Sequence, residues 1–241
     1  MPDNEHDTPP ARERIAIVLD TDDLVAAMRL AKAVQPHIAN AKVGLELWSA
    51  VGPDALAALT ELGMDVFVDL KLHDIPTTVR RAAHVLGSAG ARWVNAHAMG
   101  GTDMLRAFVE GLHDGADDAG LEQPMALAVT VLTSEHDAPP PLLAERAGLA
   151  AAAGCGGVVC AVPDLAIIRH AEPSLRCVTP GIRPGGSAAD DQVRISTPAQ
   201  AVHAGSDLLV IGRPISHAED PVAAAAAVED EVAHALAAAP R

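Results

Sequence analysis

Asp65-Val66-Phe67-Val68-Asp69-Leu70-Lys71-Leu72-His73-Asp74-Ile75-Pro76 is an apolar run that ends in charge and then meets a proline. Side chains of a strand alternate between its two faces. Val66, Val68 and Leu70 therefore share one face, and Phe67, Asp69 and Lys71 share the other. Proline suits the first turn of a helix and breaks its interior. The stretch thus reads as a strand over 65–71 passing into a helix over 75–88. Apolar residues on both faces indicate a strand covered on both sides, as in a parallel sheet.

The same unit recurs along the chain. Short β-branched runs stand at 15–20, 41–45, 93–98, 126–131, 157–161, 176–179 and 207–211. Helical patterns follow, among them 24–34, 54–62 and 103–114, with an alanine-rich last helix over about 221–239. Eight β-then-α units in 241 residues predict an α/β fold of the closed (β/α)8, or TIM barrel, kind in a single domain. The alternative is a doubly wound open sheet, which usually carries a glycine-rich phosphate loop after its first strand. Here that strand runs into Leu19-Asp20-Thr21-Asp22, without glycine. Residues 1–14 read as a flexible tail and 15–241 as the barrel domain.

Composition narrows the partners. The formal net charge is −15, which disfavours nucleic acid and anionic membrane surfaces. Cys155, Cys160 and Cys177 are odd in number, lack paired spacing and lie in apolar runs, so they read as small buried hydrophobes. The polar, acidic start of the chain offers no secretory signal, and no apolar stretch is long enough to span a bilayer. A reducing cytoplasm is the expected location. Aromatic residues make up 2%, so a bound ring would be held by aliphatic contacts and hydrogen bonds. The histidines, including His97, show no metal-like spacing, and no metal is expected.

The charges at the end of the 65–71 strand are the chemical signal. Asp69 and Lys71 on an interior face would sit at the C-terminal mouth, where barrel enzymes carry their chemistry. An ion pair closing the barrel end is the structural alternative, since a buried pair is weak evidence for stability. Two observations favour chemistry. Lys42, alternating with Gly44 and Glu46 on the neighbouring strand, is within reach of Asp69, because adjacent strands lie about 5 Å apart. In addition, of 17 basic residues only Lys32, Lys42 and Lys71 are lysines. Arginine does not release its proton in practice, whereas lysine does. Lys32, on the first helix, reads as a solvated surface charge. Asp74 alone would read as a helix-start residue, and His73 as structural.

Asp-Leu-Lys-Leu-His-Asp-Ile-Pro at 69–76 resembles the signature of bacterial orotidine 5′-phosphate decarboxylases. Further segments resemble that family in the same order: Leu19-Asp20, Ala41-Lys42-Val43-Gly44, Val129-Thr130-Val131-Leu132-Thr133-Ser134, Thr179-Pro180-Gly181-Ile182-Arg183, and Val210-Ile211-Gly212-Arg213-Pro214-Ile215. The resemblance spans roughly residues 14–236. It implies a cofactor-free enzyme that removes CO2 from orotidine 5′-phosphate in pyrimidine biosynthesis. It implies a charge network of Lys42, Asp69, Lys71 and Asp74. Lys71 would donate the proton, Asp69 would face the departing carboxylate, and Lys42 would hold Asp69 and a ribose hydroxyl. Asp20 would bind the ribose, Thr133 the pyrimidine edge, and Arg183, Gln192, Gly212 and Arg213 the phosphate. Asp74 and Thr78 would enter the partner's site, which implies a homodimer with shared active sites.

The phosphate half is partly readable on its own. Gly212-Arg213-Pro214 ends the last strand, where a glycine, a short helix start and an arginine suit an anion. The glycine-rich run after Arg183, up to Val193, reads as a lid over that anion, the alternative being a loop without function. Pro139-Pro140-Pro141 reads as a rigid loop before a helix. Two rival readings stay open: a sugar-phosphate lyase of similar strand end that uses Mg2+ and an enediolate, and a catalytically dead phosphate-binding barrel.

Overall fold

The computed structural model describes residues 9–135, 138–185 and 194–238. Strands β1 (Ile15–Leu19), β2 (Asn40–Val43), β3 (Asp65–Leu72), β4 (Trp93–His97), β5 (Met125–Val129), β6 (Gly157–Val159), β7 (Arg176–Thr179) and β8 (Leu208–Ile211) pair in parallel, in chain order, and β8 closes on β1. Between them run helices α1 (Leu24–Val34), α2 (Leu45–Val51), α3 (Pro53–Glu61), α4 (Pro76–Ser88), α5 (Gly101–Ala119), α6 (Pro140–Ala152), α7 (Leu165–Ala171) and α8 (Pro198–His203). After β8 come α9 (Arg213–Ser216) and α10 (Pro221–Ala238). This is the expected single-domain (β/α)8 barrel.

Alternation along the strands separates two apolar layers. Ala16, Phe67, Leu127, Val129, Val159, Val178, Leu208 and Val210 fill the barrel interior. Ile15, Ile17, Val66 and Val68 point outward into the larger core beneath the helices. Phe67 is the largest of these buried inner side chains and is 1% exposed, a burial that stabilises by roughly 1.5–3 kcal/mol. Its place in that layer agrees with the face assigned to Phe67, Asp69 and Lys71.

The strand ends lie within two residues of those expected, and three local differences have clear causes. First, β2 stops at Val43, because Gly44 caps a short helix, α2, that periodicity did not reveal. Glu46 therefore sits exposed on α2 and not on the interior strand face where alternation put it. Second, α5 runs to Ala119 and ends only where Gly120 adopts a left-handed conformation (φ 67°). Third, residues 11–14, expected within the flexible tail, form a 3-10 turn. It is tied to the barrel by Ala39 N donating to Arg12 O (2.9 Å), Asn40 Nδ2 to Glu13 O (3.0 Å) and Arg14 to Ser206 O (2.6 Å). Residues 1–8 of that tail lie outside the described residues. Pro140 and Pro141 prove to be the first two residues of α6, where their missing N–H groups cost nothing.

Candidate active site

β3 places the charges. Paired with β4 it advances from Val68↔Val94 to Leu72↔Ala96, four residues against two, so β3 carries extra chain at this point. Lys71 takes up the irregularity with φ 53°, the one positive φ at a non-glycine among the described residues. Such a conformation costs about 1 kcal/mol or more away from glycine, and it re-aims the side chain at the rim.

The Asp69 carboxylate is gripped on both oxygens. Lys71 Nζ donates to Oδ1 at 2.7 Å, Asn95 Nδ2 donates to the same oxygen at 2.7 Å, and Lys42 Nζ stands 3.1 Å from Oδ2. Burial by itself would raise the Asp69 pKa. The charges of Lys42 and Lys71, with hydrogen bonds from Lys71 and Asn95, more than reverse this and hold it at about 2. Lys42 also reaches Asp20 Oδ1 at 3.5 Å. Gly44 permits that contact: a Cβ there would stand 2.9 Å from Lys42 Nζ and 3.0 Å from Asp20 Oδ1.

These groups open into a cavity of about 450 Å3 at the C-terminal mouth of the barrel. Asp20, Lys42, Asp69, Lys71, Thr133, Arg183, Gly212 and Arg213 line it, over an apolar floor of Val18, Phe67, Val129, Val159 and Val210. One end is anionic and cationic together; the other, after β7 and β8, is built from Gly181, Arg183, Gly212 and Arg213. That volume and that mix suit a small polar ligand. At Gly212 a Cβ would press on Val18 Cβ at 3.3 Å, so glycine keeps the backbone seated against β1.

A family model described as "Orotidine 5'-phosphate decarboxylase / HUMPS family" matches residues 13–228. The chain belongs to that family. A curated relative named orotidine 5′-phosphate decarboxylase, from Anaeromyxobacter sp. (strain K), is 45% identical over 90% of this chain and 96% of its own length. One of the same name from Pseudomonas syringae pv. tomato is 45% identical over 91% of this chain and 97% of its own. Among solved structures, orotidine 5′-phosphate decarboxylase from Lactobacillus acidophilus superposes with a TM-score of 0.75 at 35% identity, covering 91% of this chain and 99% of that one. An uncharacterised conserved protein from Geobacillus kaustophilus gives 0.76 at 34% identity, with 90% and 99% covered.

Within this orotidine 5′-phosphate decarboxylase family member, eight of the residues singled out from sequence meet in one cavity. Asp74 and Thr78 do not. They stand on an exposed arm, 73–78, outside the cavity lining. Gln192, and all of the run between Arg183 and Val193 that reads as a lid except residues 184–185, lie outside the described residues. Sequence reasoning missed Asn95, Gly44 and Arg194. Arg194 grips both oxygens of buried Asp164 at 2.7 Å and donates to Leu132 O at 3.1 Å, which fastens the chain before α8 to the loop after β5. Only Gly44 figured by name in the sequence reading, inside the 41–45 run and in the Ala41-Lys42-Val43-Gly44 segment, without a role of its own.

Removal of the Arg213 guanidinium tests whether this end of the cavity takes a phosphate, as the resemblance implies. In Arg213→Ala, affinity for uridine 5′-phosphate should fall roughly 10- to 100-fold, the worth of one or two hydrogen bonds to a charged group. Affinity for uridine itself should stay unchanged. Calorimetry with both ligands checks this, and equal losses for the two would count against a phosphate contact.

Proposed function

We propose that this chain decarboxylates orotidine 5′-phosphate to uridine 5′-phosphate in de novo pyrimidine biosynthesis, without a cofactor, in a reducing cytoplasm. The observation that carries the chemistry is the Lys71 ammonium, 2.7 Å from a carboxylate whose other oxygen faces a second ammonium at 3.1 Å. Family membership and the names of the curated relatives support the substrate. The three cysteines are free and buried, which suits a reducing compartment.

Breaking the bond to the carboxylate leaves its electron pair on the pyrimidine carbon. In our reading, Asp69 repels the carboxylate until CO2 leaves, and Lys71 stabilises the carbanion by a fixed positive charge. The Lys71 ammonium then gives that carbon its proton and regains one from solvent. Lys42 holds Asp69 in place and, with Asp20, meets the ribose. Thr133 meets the pyrimidine edge. Arg183, Gly212 and Arg213, with Gln192, take the phosphate. Because the phosphate end is remote from the reacting carbon, its binding energy can be expressed in the chemical step.

We further propose a homodimer with shared active sites. Ile75 on the exposed arm is 64% exposed, and Leu45 and Met99, after the neighbouring strands β2 and β4, are each 60% exposed. Three large apolar side chains along one edge of the mouth suit a partner subunit. Docked there, one chain's arm would bring Asp74 and Thr78 to the other's cavity. Mixing Lys71→Ala with Asp74→Ala subunits should then restore activity that neither parent has, because each hybrid regenerates one intact site. No recovery, with hybrid formation confirmed by mass, would rule against sharing.

Loss of orotidylate absorbance on adding purified protein, with and without EDTA, tests the main reading. Turnover unaffected by EDTA is expected. Abolition by EDTA would favour the Mg2+-dependent lyase, and tight binding of a 6-substituted uridine phosphate without turnover would favour a dead barrel.

A further inference from the structure

Asn95 lies on β4, is 0% exposed, and has no contact with solvent. A buried side-chain amide costs free energy unless its groups are paired. Both of its ends are paired, and both to the same irregular stretch of β3. Oδ1 accepts the backbone N–H of Lys71 at 2.7 Å, and Nδ2 donates to Asp69 Oδ1 at 2.7 Å. The opposing register shows why a side chain is needed there. Between Val68↔Val94 and Leu72↔Ala96 the ladder is interrupted, and Asn95 stands opposite the extra residues of β3. A strand's backbone amides normally bond a neighbouring strand; at Lys71 the amide of Asn95 replaces that strand.

We propose that Asn95 is the positioning residue of the charge network: it clamps Lys71 in its left-handed conformation and fixes the Asp69 carboxylate under the Lys71 ammonium. The inference rests on the decarboxylase reading for its kinetic consequence but not for its geometry. Two links lead from the amide to the chemistry. The first is backbone. Lys71 at φ 53° is strained, and the bond to Asn95 offsets that strain. Without it the 69–72 segment has reason to relax toward regular strand and carry the ammonium away from the cavity. The second is electrostatic. Asp69 Oδ1 takes two donors, Lys71 Nζ and Asn95 Nδ2. Deletion of the neutral donor leaves the carboxylate to Lys42 and Lys71 alone, both at the ends of flexible side chains, so the Lys71 ammonium loses a counter-charge fixed by a fully buried partner. Preorganised charge is what such a site contributes to rate, and a displacement of about 1 Å costs on the order of 10²-fold.

The test compares wild type, Asn95→Ala and Asn95→Asp as full-length protein. In Asn95→Ala, kcat for orotidine 5′-phosphate should fall on the order of 10²-fold, while uridine 5′-phosphate affinity changes less than threefold. Equal falls in kcat and in affinity, or a kcat within threefold of wild type, would overturn the proposal. Asn95→Asp keeps an acceptor for the Lys71 amide but sets a second carboxylate against Asp69. Its acid limb of kcat should move to higher pH, since two carboxylates in contact do not both ionise readily. An unmoved limb would count against the Asp69 contact. A second readout needs no turnover. Amide exchange across 69–72 should accelerate more than tenfold in Asn95→Ala while the strands away from β3 keep their protection. Unchanged exchange there would overturn the clamp even if the enzyme is active. An inactive wild type with accelerated exchange in the variant would instead sink the decarboxylase reading and leave the clamp standing. Should neither variant fold, the wild-type protein decides the matter by NMR: the Asn95 side-chain amide and the Lys71 backbone amide should both resist exchange, and rapid exchange of either overturns the clamp.

Discussion

Lys71→Ala should give a folded barrel with turnover of orotidine 5′-phosphate reduced about 10⁴-fold or more. The magnitude combines two roles in one side chain. Delivery of a proton by a positioned acid contributes 10²–10⁴-fold in general, and a preorganised charge at the point where negative charge develops contributes about 10²–10³-fold. Stability should change little. The Lys71 side chain is 31% exposed at the rim, and Asp69 keeps Lys42 and Asn95 as partners in its absence. Stopped-flow or long-time absorbance assays give the turnover, and calorimetry with uridine 5′-phosphate shows whether the rest of the cavity survives. Near-normal turnover would mean that some other group supplies the proton. Loss of ligand binding together with turnover would mean that Lys71 holds the cavity together and does not act on carbon.

Asp69→Asn should harm both activity and stability, because Asp69 is the hub where Lys71 is a spoke. The amide keeps one oxygen for two donors but turns an N–H toward Lys42, which stands 3.1 Å away as a donor itself. Lys42 is 8% exposed, and in the variant its charge is left with Asp20 alone, at 3.5 Å. Loss of one member of a buried pair costs about 3–5 kcal/mol, which for a chain of this size lowers Tm by roughly 10 °C. Turnover should fall at least about 10³-fold, since both cations lose their anchor. The pH dependence has a definite sign. Asp69 is held near 2, below its ordinary 3.8, so its stabilisation is complete above about pH 4 and is lost as pH falls toward 2. The Tm gap between wild type and variant should therefore be flat from neutral pH down to about 4 and shrink below that. A gap that closes between pH 5 and 7 would mean that Asp69 is not the ionised hub.

The two variants separate what the sequence could say from what it could not. Lys71, Asp69 and Lys42 were readable because lysine is rare in this chain and because strand alternation assigns faces without knowledge of contacts. Gly212 and Arg213 were readable as an anion site because a glycine, a short helix start and an arginine follow the last strand. Asp74 and Thr78 were assigned to a site only through resemblance. In a single chain they lie on an exposed arm, and nothing local to them indicates a distant cavity.

Asn95 was not readable at all. As a lone amide inside the Trp93–His97 run, it looks like any polar residue in a strand. Its partners lie 24 and 26 residues earlier, and it meets them only because β3 slips against β4 at one point. Glu46 shows the same limit from the other side. Alternation placed it inside the barrel, but Gly44 ended the strand first and started a helix. The turn 11–14 looked like the end of a tail until its bonds to Ala39, Asn40 and Ser206 were seen.

By itself, then, the sequence determined the architecture and the chemical type of the site. Both follow from periodicity and from rare charged residues, which are properties of a few neighbouring positions. The tertiary structure alone decided how the charges are held: the slip in register, the left-handed Lys71, and the amide from the next strand that closes the gap. Those depend on which residues face each other across strands, and pairing register is settled by packing over the whole barrel, beyond the reach of any single segment.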